Sequence, residues 1–398
     1  MRVGIYLDIN STAGGMFQYA QVLMDVLSKN GAQVVVVTRS MEVHKKLCGA
    51  RSLNECVFIP RNRIENIITW LGVFMDAGNV IKNIAKKTLN TVKMLNKIDV
   101  DFWIFPAQDI QCILVEMPAV TAIHDLMHKF YPQFPEVSRF GRRWIRDKRY
   151  QAIVKYSSFV LVDSEIGSSH VEESYNISRK NIIIVPFTAP DYIRRNSAKR
   201  PKDIWPNKKF LVYPAQFWMH KNHQKLLEAV SKVVKEHPDF LVVFTGHKAH
   251  CYFHLCELVE SLHLGAHVRF LGHVNDDTIS WLYRNAQGLI FPSFFGPTNI
   301  PPLEALACNL PMAISDLFGA RGQMKDASLY FDPAVVDEIA FACVSLWSEQ
   351  GLRNTLIRNM NLHSIAEFDL QTSAGVRNLI DRIVGENYNT AHRAVGDK

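Results

Sequence analysis

Thr298, Asn299, Ile300 and Glu304 fall in the stretch Phe291–Asp316, which reads FPSFFGPTNIPPLEALACNLPMAISD. A short apolar strand runs into a Gly/Pro/Asn turn, then a helix start, then a second apolar strand. Pro301 and Pro302 mark the helix start, where proline loses no hydrogen bond. Glu304 is expected in the first turn, near the positive end of the helix dipole. Backbone N–H groups at a helix start hold anions, phosphate among them. A carboxylate beside them accepts hydrogen bonds from sugar hydroxyls. A strand–loop–helix of an ordinary α/β protein reads the same way, since no glycine-rich phosphate fingerprint is present.

Three other places offer reactive groups. Residues 213–223, YPAQFWMHKNH, begin at a strand end and put Gln216 and Lys221 on a loop. A lysine there neutralises phosphate as a point cation. Lys221 and Glu304 together outline a cradle for a nucleoside diphosphate. His124 ends another strand, where ligands of open parallel sheets bind. Gly14 and Gly15 open a helix after the first strand and let the backbone approach a ligand closely. Each also reads as an ordinary turn. His247, His250, Cys251, His254 and Cys256 crowd together, but no HExxH or paired CxxC pattern accompanies them, and surface histidines at a helix edge are the reading. Asp99-Val100-Asp101 imitates an acidic metal motif but is read as a helix-to-strand loop, with no metal assigned. GxSxG, GxxxxGK and kinase signatures are absent.

The elements that must position these groups alternate. Apolar runs at residues 3–7, 34–38, 102–105, 120–123, 159–162 and 182–185 read as strands, with helical patterns between them. A stretch rich in proline and in Lys/Arg from Thr188 to Lys209 reads as a linker. The alternation then restarts with strands at 210–213, 241–245, 268–271, 288–291, 311–314 and 328–331, and helices dominate from Val335. The expected organisation is α/β, with a first Rossmann-like domain over 1–190, a linker over 191–209, a second over 210–375, and a helix and tail over 376–398. Two doubly wound halves imply a cleft between two sets of strand ends.

Two basic stretches stand out. Ile81, Ile84, Ala85, Leu89, Val92 and Leu95 recur at helical spacing, with Lys82, Lys86, Lys93 and Lys97 on another face. This reads as one basic amphipathic helix, able to lie on an anionic membrane or to show a solvated lysine face. Arg139, Arg142, Arg143, Arg146, Lys148 and Arg149 form the densest basic run. The chain of 398 residues, 48% hydrophobic and 21% charged with net charge +7, is ordinary for a globular protein and admits an anionic partner. Seven scattered cysteines imply no disulfide framework, and MRVGIYLDIN lacks the features of a signal peptide. The expected location is cytoplasmic, with peripheral contact at the inner face of an anionic membrane, and no nucleic acid partner.

Several of these segments together resemble GT-B glycosyltransferases of family 4. Phe291–Asp316 resembles the family's EGFGLPPLEAMACGTPV-type motif. HDLMHKFYPQFPE resembles its TIHDL segment, YPAQFWMHKNH its YPGQFWPHKNH segment, and VLVDSEIGSSHV its "VSxFS" helix start. The resemblance spans roughly Val3 to Asp332 in the expected order, and the GPTN variant is similar to that of bacterial surface-polysaccharide enzymes. It implies a GT-B fold, with two Rossmann-like domains facing each other across a cleft. It also implies transfer of a hexose or deoxyhexose, mannose or rhamnose type favoured, from a nucleotide-diphosphate sugar with retention of configuration. No metal or other cofactor is implied. The acceptor would be a lipid-linked oligosaccharide or growing glycan. Glu304 would bind the donor ribose, Lys221 the diphosphate, and the backbone at Asn299 and Ile300 phosphate or sugar. His124 would contact the donor sugar, and Gly14 and Gly15 would lie by the diphosphate and acceptor.

The chain departs from this pattern at two places. Gly296 stands where the family's first glutamate is expected, with Thr298 and Asn299 able to supply hydrogen bonds instead. Gln216 replaces the usual arginine of the phosphate clamp. These departures keep open a non-catalytic scaffold of the same fold, and the architecture also suits a sugar-nucleotide epimerase.

Overall fold

The computed structural model describes residues 1–10, 14–50, 52–195, 198–204, 208–296 and 298–396. Residues 11–13, Arg51, parts of the 191–209 stretch, Pro297 and the last two residues lie outside them, as do the side chains of Asn79, Ile81, Lys86 and Lys87 and those from 386 onward. The chain forms two units. One comprises Met1–Phe130, Phe140–Phe187 and Asp369–Lys398, the other Tyr131–Arg139 and Thr188–Phe368.

The first unit holds seven strands: β1 Arg2–Leu7, β2 Gln33–Thr38, β3 Glu55–Phe58, β4 Phe102–Phe105, β5 Ala119–Ala122, β6 Phe159–Val162 and β7 Ile182–Ile184. They lie in the order β3-β2-β1-β4-β5-β6-β7, with each pair parallel. Helices cover both faces, so most strands are continuous apolar runs, buried above and below. Ile5, Leu7, Val34 and Val36 point to one core, while Tyr6, Val35, Val37, Trp103 and Phe105 point to the other. The helix Ile365–Gly396 returns to this unit from Asp369, where Val376, Leu379 and Ile383 join the first of those cores.

The second unit holds β8 Leu211–Pro214, β9 Val242–Thr245, β10 Val268–Phe270, β11 Gly288–Phe291, β12 Met312–Ser315 and β13 Leu329–Phe331. Their order is β10-β9-β8-β11-β12-β13, again all parallel. Both sheets are doubly wound. The strand order reverses between β1 and β4 in one and between β8 and β11 in the other. A crevice opens beyond the carboxyl ends at such a reversal.

The strands lie within a residue or so of the positions expected from the sequence, except that β3 had no expected counterpart. It pairs only with β2, at the sheet edge, and its ECVF run is partly polar and only half-buried. The basic helix expected over 81–97 is two helices, Gly78–Thr88 and Asn90–Leu95. Leu89 between them is extended (φ −91°, ψ 123°) and buried, so the chain turns to bury Leu89, Val92 and Leu95 while Ile84 stays exposed.

Candidate functional site

In the second unit, the loop after β8 and the loop after β11 are tied by side chains. Asn222 is buried in a left-handed conformation (φ 59°), which asparagine tolerates better than most residues. Its amide donates to Pro292 O at 3.0 Å and to Pro333 O at 2.8 Å. The Phe294 N–H donates to His220 O at 2.7 Å. The Tyr213 hydroxyl donates to Lys221 O at 2.5 Å. These bonds set the preceding residue, Lys221, at the strand reversal. Its Nζ lies 3.4 Å from Ser293 Oγ and 5.5 Å from the Phe291 ring centre.

Lys221 has a further anchor that sequence reasoning missed. Glu136, within Tyr131–Arg139, accepts from the backbone N–H of His220 at 3.0 Å and pairs with its Nδ1. Burial pushes the Glu136 carboxyl up, but the bonds from His220 outweigh it and hold it below the usual carboxylate range. Phe134 of the same segment packs on His220 and Phe294. The FPE end of the HDL-containing segment therefore belongs with the lysine loop, although His124 at its other end lies in the first unit. Next along the chain, His223 is fully enclosed among Tyr213, Phe217 and Phe244. Burial, then Lys221 and His220, push it down to about 3, so it is neutral and forms part of the core.

Gln216 faces its own loop, accepting from Trp218 Nε1 at 2.6 Å. The turn before the helix Ile300–Ala307 is braced by a residue with no signal in the motif: Gln323, buried on Ala320–Met324. It accepts from Asn299 N at 3.2 Å and donates to Asn299 O at 3.1 Å. The Asn299 amide donates to Gly296 O at 3.1 Å and does not cap the helix. Because Pro301 and Pro302 lack N–H groups, Ile300 and Leu303 are the first-turn residues able to donate to a ligand. Thr298 lies in the same turn. Gly296 has φ 135°, and a Cβ there would come within 2.4–2.7 Å of the Asn299 amide. The positive φ disfavours a glutamate at 296, and Asn299 would also have to move to admit its Cβ.

Glu304 differs from the expectation. The helix begins at Ile300, so Glu304 falls in the second turn and its side chain is buried. Its two oxygens accept from the hydroxyls of Tyr192 and Tyr283. Burial pushes its pKa up, and the two tyrosines pull it back only in part. Tyr192 lies on the short helix Asp191–Arg194, whose backbone is also held through Ser280.

In the first unit, Gly14 takes φ 62°, ψ −128° at the start of the helix Gly15–Lys29, a conformation that only glycine adopts readily. His124 follows β5. Its Nε2 donates to Pro106 O at 2.7 Å, since a carbonyl can only accept. Its ring meets Tyr19 edge-on and stacks on Phe187. Burial pushes its pKa down, so the imidazole is held neutral in a fixed orientation. Arg146 bonds Asp125 at 2.7 Å and Tyr150 at 3.0 Å. The strongest inward member of the basic run is therefore spent on the HDL segment, leaving Arg142 and Arg143 exposed.

The reversal between β1 and β4 is acidic. Asp8 follows β1 and bonds Arg61 at 2.7 Å. Asp109 follows β4 and has a buried oxygen without a hydrogen-bond partner. Burial, then the Asp8 charge, raise the Asp109 carboxyl to about 7. Nothing in the local sequence marks this pair, which the sheet order brings together. In the His/Cys-rich stretch, His250 precedes the helix Tyr252–Ser261 and His254 lies on it, both exposed. No metal-like grouping includes them among the described residues.

Comparison with known proteins places this geometry. Residues 195–362 match the family model described as "Glycosyl transferases group 1". The chain is 25% identical over 230 residues to "O-antigen chain mannosyltransferase B" of Escherichia coli, covering 56% of this chain and 59% of that protein. It is 26% identical over 213 residues to "O-antigen chain mannosyltransferase RfbU" of Salmonella typhimurium, covering 53% and 56%. The matched segments span just over half the length of these curated relatives. A solved structure of Anabaena Alr3699/HepE in complex with UDP and glucose superposes with a TM-score of 0.71 at 14% identity, covering 97% of this chain and 100% of that one. The fold is GT-B, and within it residues 195–362 match the glycosyl transferases group 1 family model.

Proposed function

We propose that the protein is a glycosyltransferase that moves a hexose or deoxyhexose, of mannose or rhamnose type, from a nucleotide-diphosphate sugar to a lipid-linked or growing glycan of a bacterial surface polysaccharide. The observation that supports it most is Lys221 at the β8/β11 reversal, beside Ser293 and the turn that leads into Ile300. A cation and helix-start N–H groups at one edge suit a diphosphate, and they stabilise the charge on a departing nucleoside diphosphate. Support for the polysaccharide comes from the names of the relatives, and support for the donor class from the UDP and glucose in the solved structure.

In this reading Glu304 binds the ribose by exchanging partners. Tyr192 and Tyr283 already offer it two hydroxyls, as a ribose diol would. Tyr283 is fully buried, whereas Tyr192 is half-buried, so Tyr192 is the one displaced. On the second unit Gln216, Thr298, Asn299 and Ile300 serve the donor, and on the first unit the neutral His124, with Gly14 and Gly15, serves donor sugar and acceptor. Transfer proceeds with retention and without a metal, the leaving phosphate taking the acceptor proton.

The first unit docks on an anionic leaflet. Among the described residues, no helix is long and apolar enough to cross a membrane. The exposed apolar side chains Ile64, Ile67, Leu71 and Met75 lie on or just after the helix Arg63–Phe74, beside stacked Phe74 and Trp144 and the exposed Arg142 and Arg143. Apolar and basic groups on one surface suit a lipid interface.

The test is transfer by the purified chain from GDP-, UDP- and dTDP-sugars to an isoprenoid-diphosphate-linked glycan, with the product anomer read by NMR. Product formed only with acceptor and with retained configuration supports the reading. A new sugar nucleotide formed without acceptor would point to an epimerase, and absence of all nucleotide binding to a scaffold. Flotation with vesicles containing phosphatidylglycerol, lost on Arg142→Glu with Arg143→Glu, tests the docking. Flotation unaffected by that double change counts against it.

A further inference from the structure

His44 lies on the helix Met41–Leu47, and Cys48 follows directly at its C-terminal end. A separation of four puts both side chains on one helix face. Cys56 lies on β3, the edge strand, and packs from that strand against the core that also buries Val43 and Leu47 of the helix. Cys56 Sγ is 3.4 Å from His44 Nδ1, and Cys48 Sγ is 3.7 Å from the same nitrogen and 3.4 Å from Nε2. All three donor groups lie within 4.8 Å of one another. A tetrahedral zinc ion with Zn–S bonds of about 2.3 Å and a Zn–N bond of about 2.05 Å has S···N edges of about 3.6 Å. The distances from the two sulfurs to Nδ1 bracket that edge.

The chemistry of the donors agrees with the geometry. Two thiols and an imidazole are a borderline-soft set that favours zinc over magnesium or calcium. Both cysteines are free, Cys48 is exposed and Cys56 half-buried, so an ion has an entry path. None of the three residues belongs to the donor side or to the acidic reversal.

We propose that His44, Cys48 and Cys56 form a three-ligand zinc site, with the fourth position open to water or an external ligand. Each ion bound converts two thiols to thiolates and releases two protons to solvent, and the imidazole binds as the neutral ring. The ion ties the end of the helix to the edge strand across the turn between them.

The test uses the full-length chain, stripped with chelator and kept reduced with a phosphine. Cobalt(II) chloride is expected to give thiolate-to-cobalt charge-transfer absorption and the intense visible bands of a tetrahedral ion, saturating at one equivalent. Zinc chloride is expected to bleach them. Cys48→Ser and Cys56→Ser are each expected to reduce the charge-transfer intensity and to weaken zinc binding by at least about tenfold. Cys251→Ser, in the other His/Cys-rich segment, is expected to change neither. Far-UV circular dichroism confirms that the variants fold, and Cys48, being exposed, is the safer replacement. Absence of charge-transfer bands, or bands that survive both cysteine replacements, would overturn the site. So would a zinc-supplemented, reduced chain whose native mass carries no zinc.

Discussion

The two strand reversals share one topology but differ in charge. Beyond β8 and β11 stands a lysine, with a helix start on the neighbouring loop, held by Asn222, Glu136 and Gln323. Beyond β1 and β4 stand Asp8 and Asp109, with a neutral His124 on the next strand. The same doubly wound sheet thus supports an edge suited to anions and an edge suited to hydroxyls. The difference lies in a few loop residues, because the strands below are apolar in both. Fold and chemistry are separable here: the sheets set the places, and the loops set the sign of the charge.

The sharpest way to break the comparison is to remove the cation. Lys221→Ala is expected to lower the rate of transfer by about 10²–10³-fold, the range lost when a preorganised group facing developing charge is deleted. A rate within twofold of the parent would remove Lys221 from the diphosphate role. Asn222→Ala tests the scaffold under that lysine. It leaves two buried carbonyls without their donor and forces alanine into a left-handed conformation, so a loss of about 2–4 kcal/mol in urea unfolding is expected. A loss below about 0.5 kcal/mol would mean that the loops are not tied through this amide.

On the acidic side the prediction concerns pH. The Asp109 carboxyl is raised to about 7 in the folded chain, above its ordinary value of 3.8. The folded state therefore holds a proton that the unfolded state releases, and stability falls as pH rises between these values. Asp109→Asn cannot ionise. It is expected to be more stable than the parent by about 1–3 kcal/mol at pH 8, with the difference gone near pH 4. Urea unfolding at both pH values checks this, and an equal difference at both would show that the carboxyl is not perturbed. The smallest effect is expected at Glu304. Tyr192→Phe removes a hydroxyl that competes with ribose, so donor KM should fall a few-fold while kcat changes little. A raised KM would mean that Tyr192 helps to hold the donor.

Much of the sheet framework was legible because parallel strands buried on both faces are continuous apolar runs. FVLV and FWIF need no partner to be recognised. The partly polar ECVF run at the sheet edge did not stand out, and the break at Leu89 was hidden because the apolar spacing continues across it. At the candidate site, Lys221, Asn299, Ile300 and Glu304 were singled out through motif and strand-end position. The surroundings of Glu304 were not, because Tyr192 and Tyr283 reach it from distant segments. Glu136, Gln323 and Asp109 escaped for the same reason: each acts through a contact that only the folded chain creates. Gly296 read as a missing carboxylate, whereas in the structure its φ of 135° is one that favours glycine.

Calorimetric titration of UDP, GDP and dTDP into the full chain and into Lys221→Ala tests the central claim most directly. The account predicts that at least one nucleotide binds the parent and that the replacement weakens it by about 10–150-fold, as the loss of a charged hydrogen bond of about 1.5–3 kcal/mol requires. Equal affinity in the two chains, or binding of none of the three nucleotides to the parent, would contradict it.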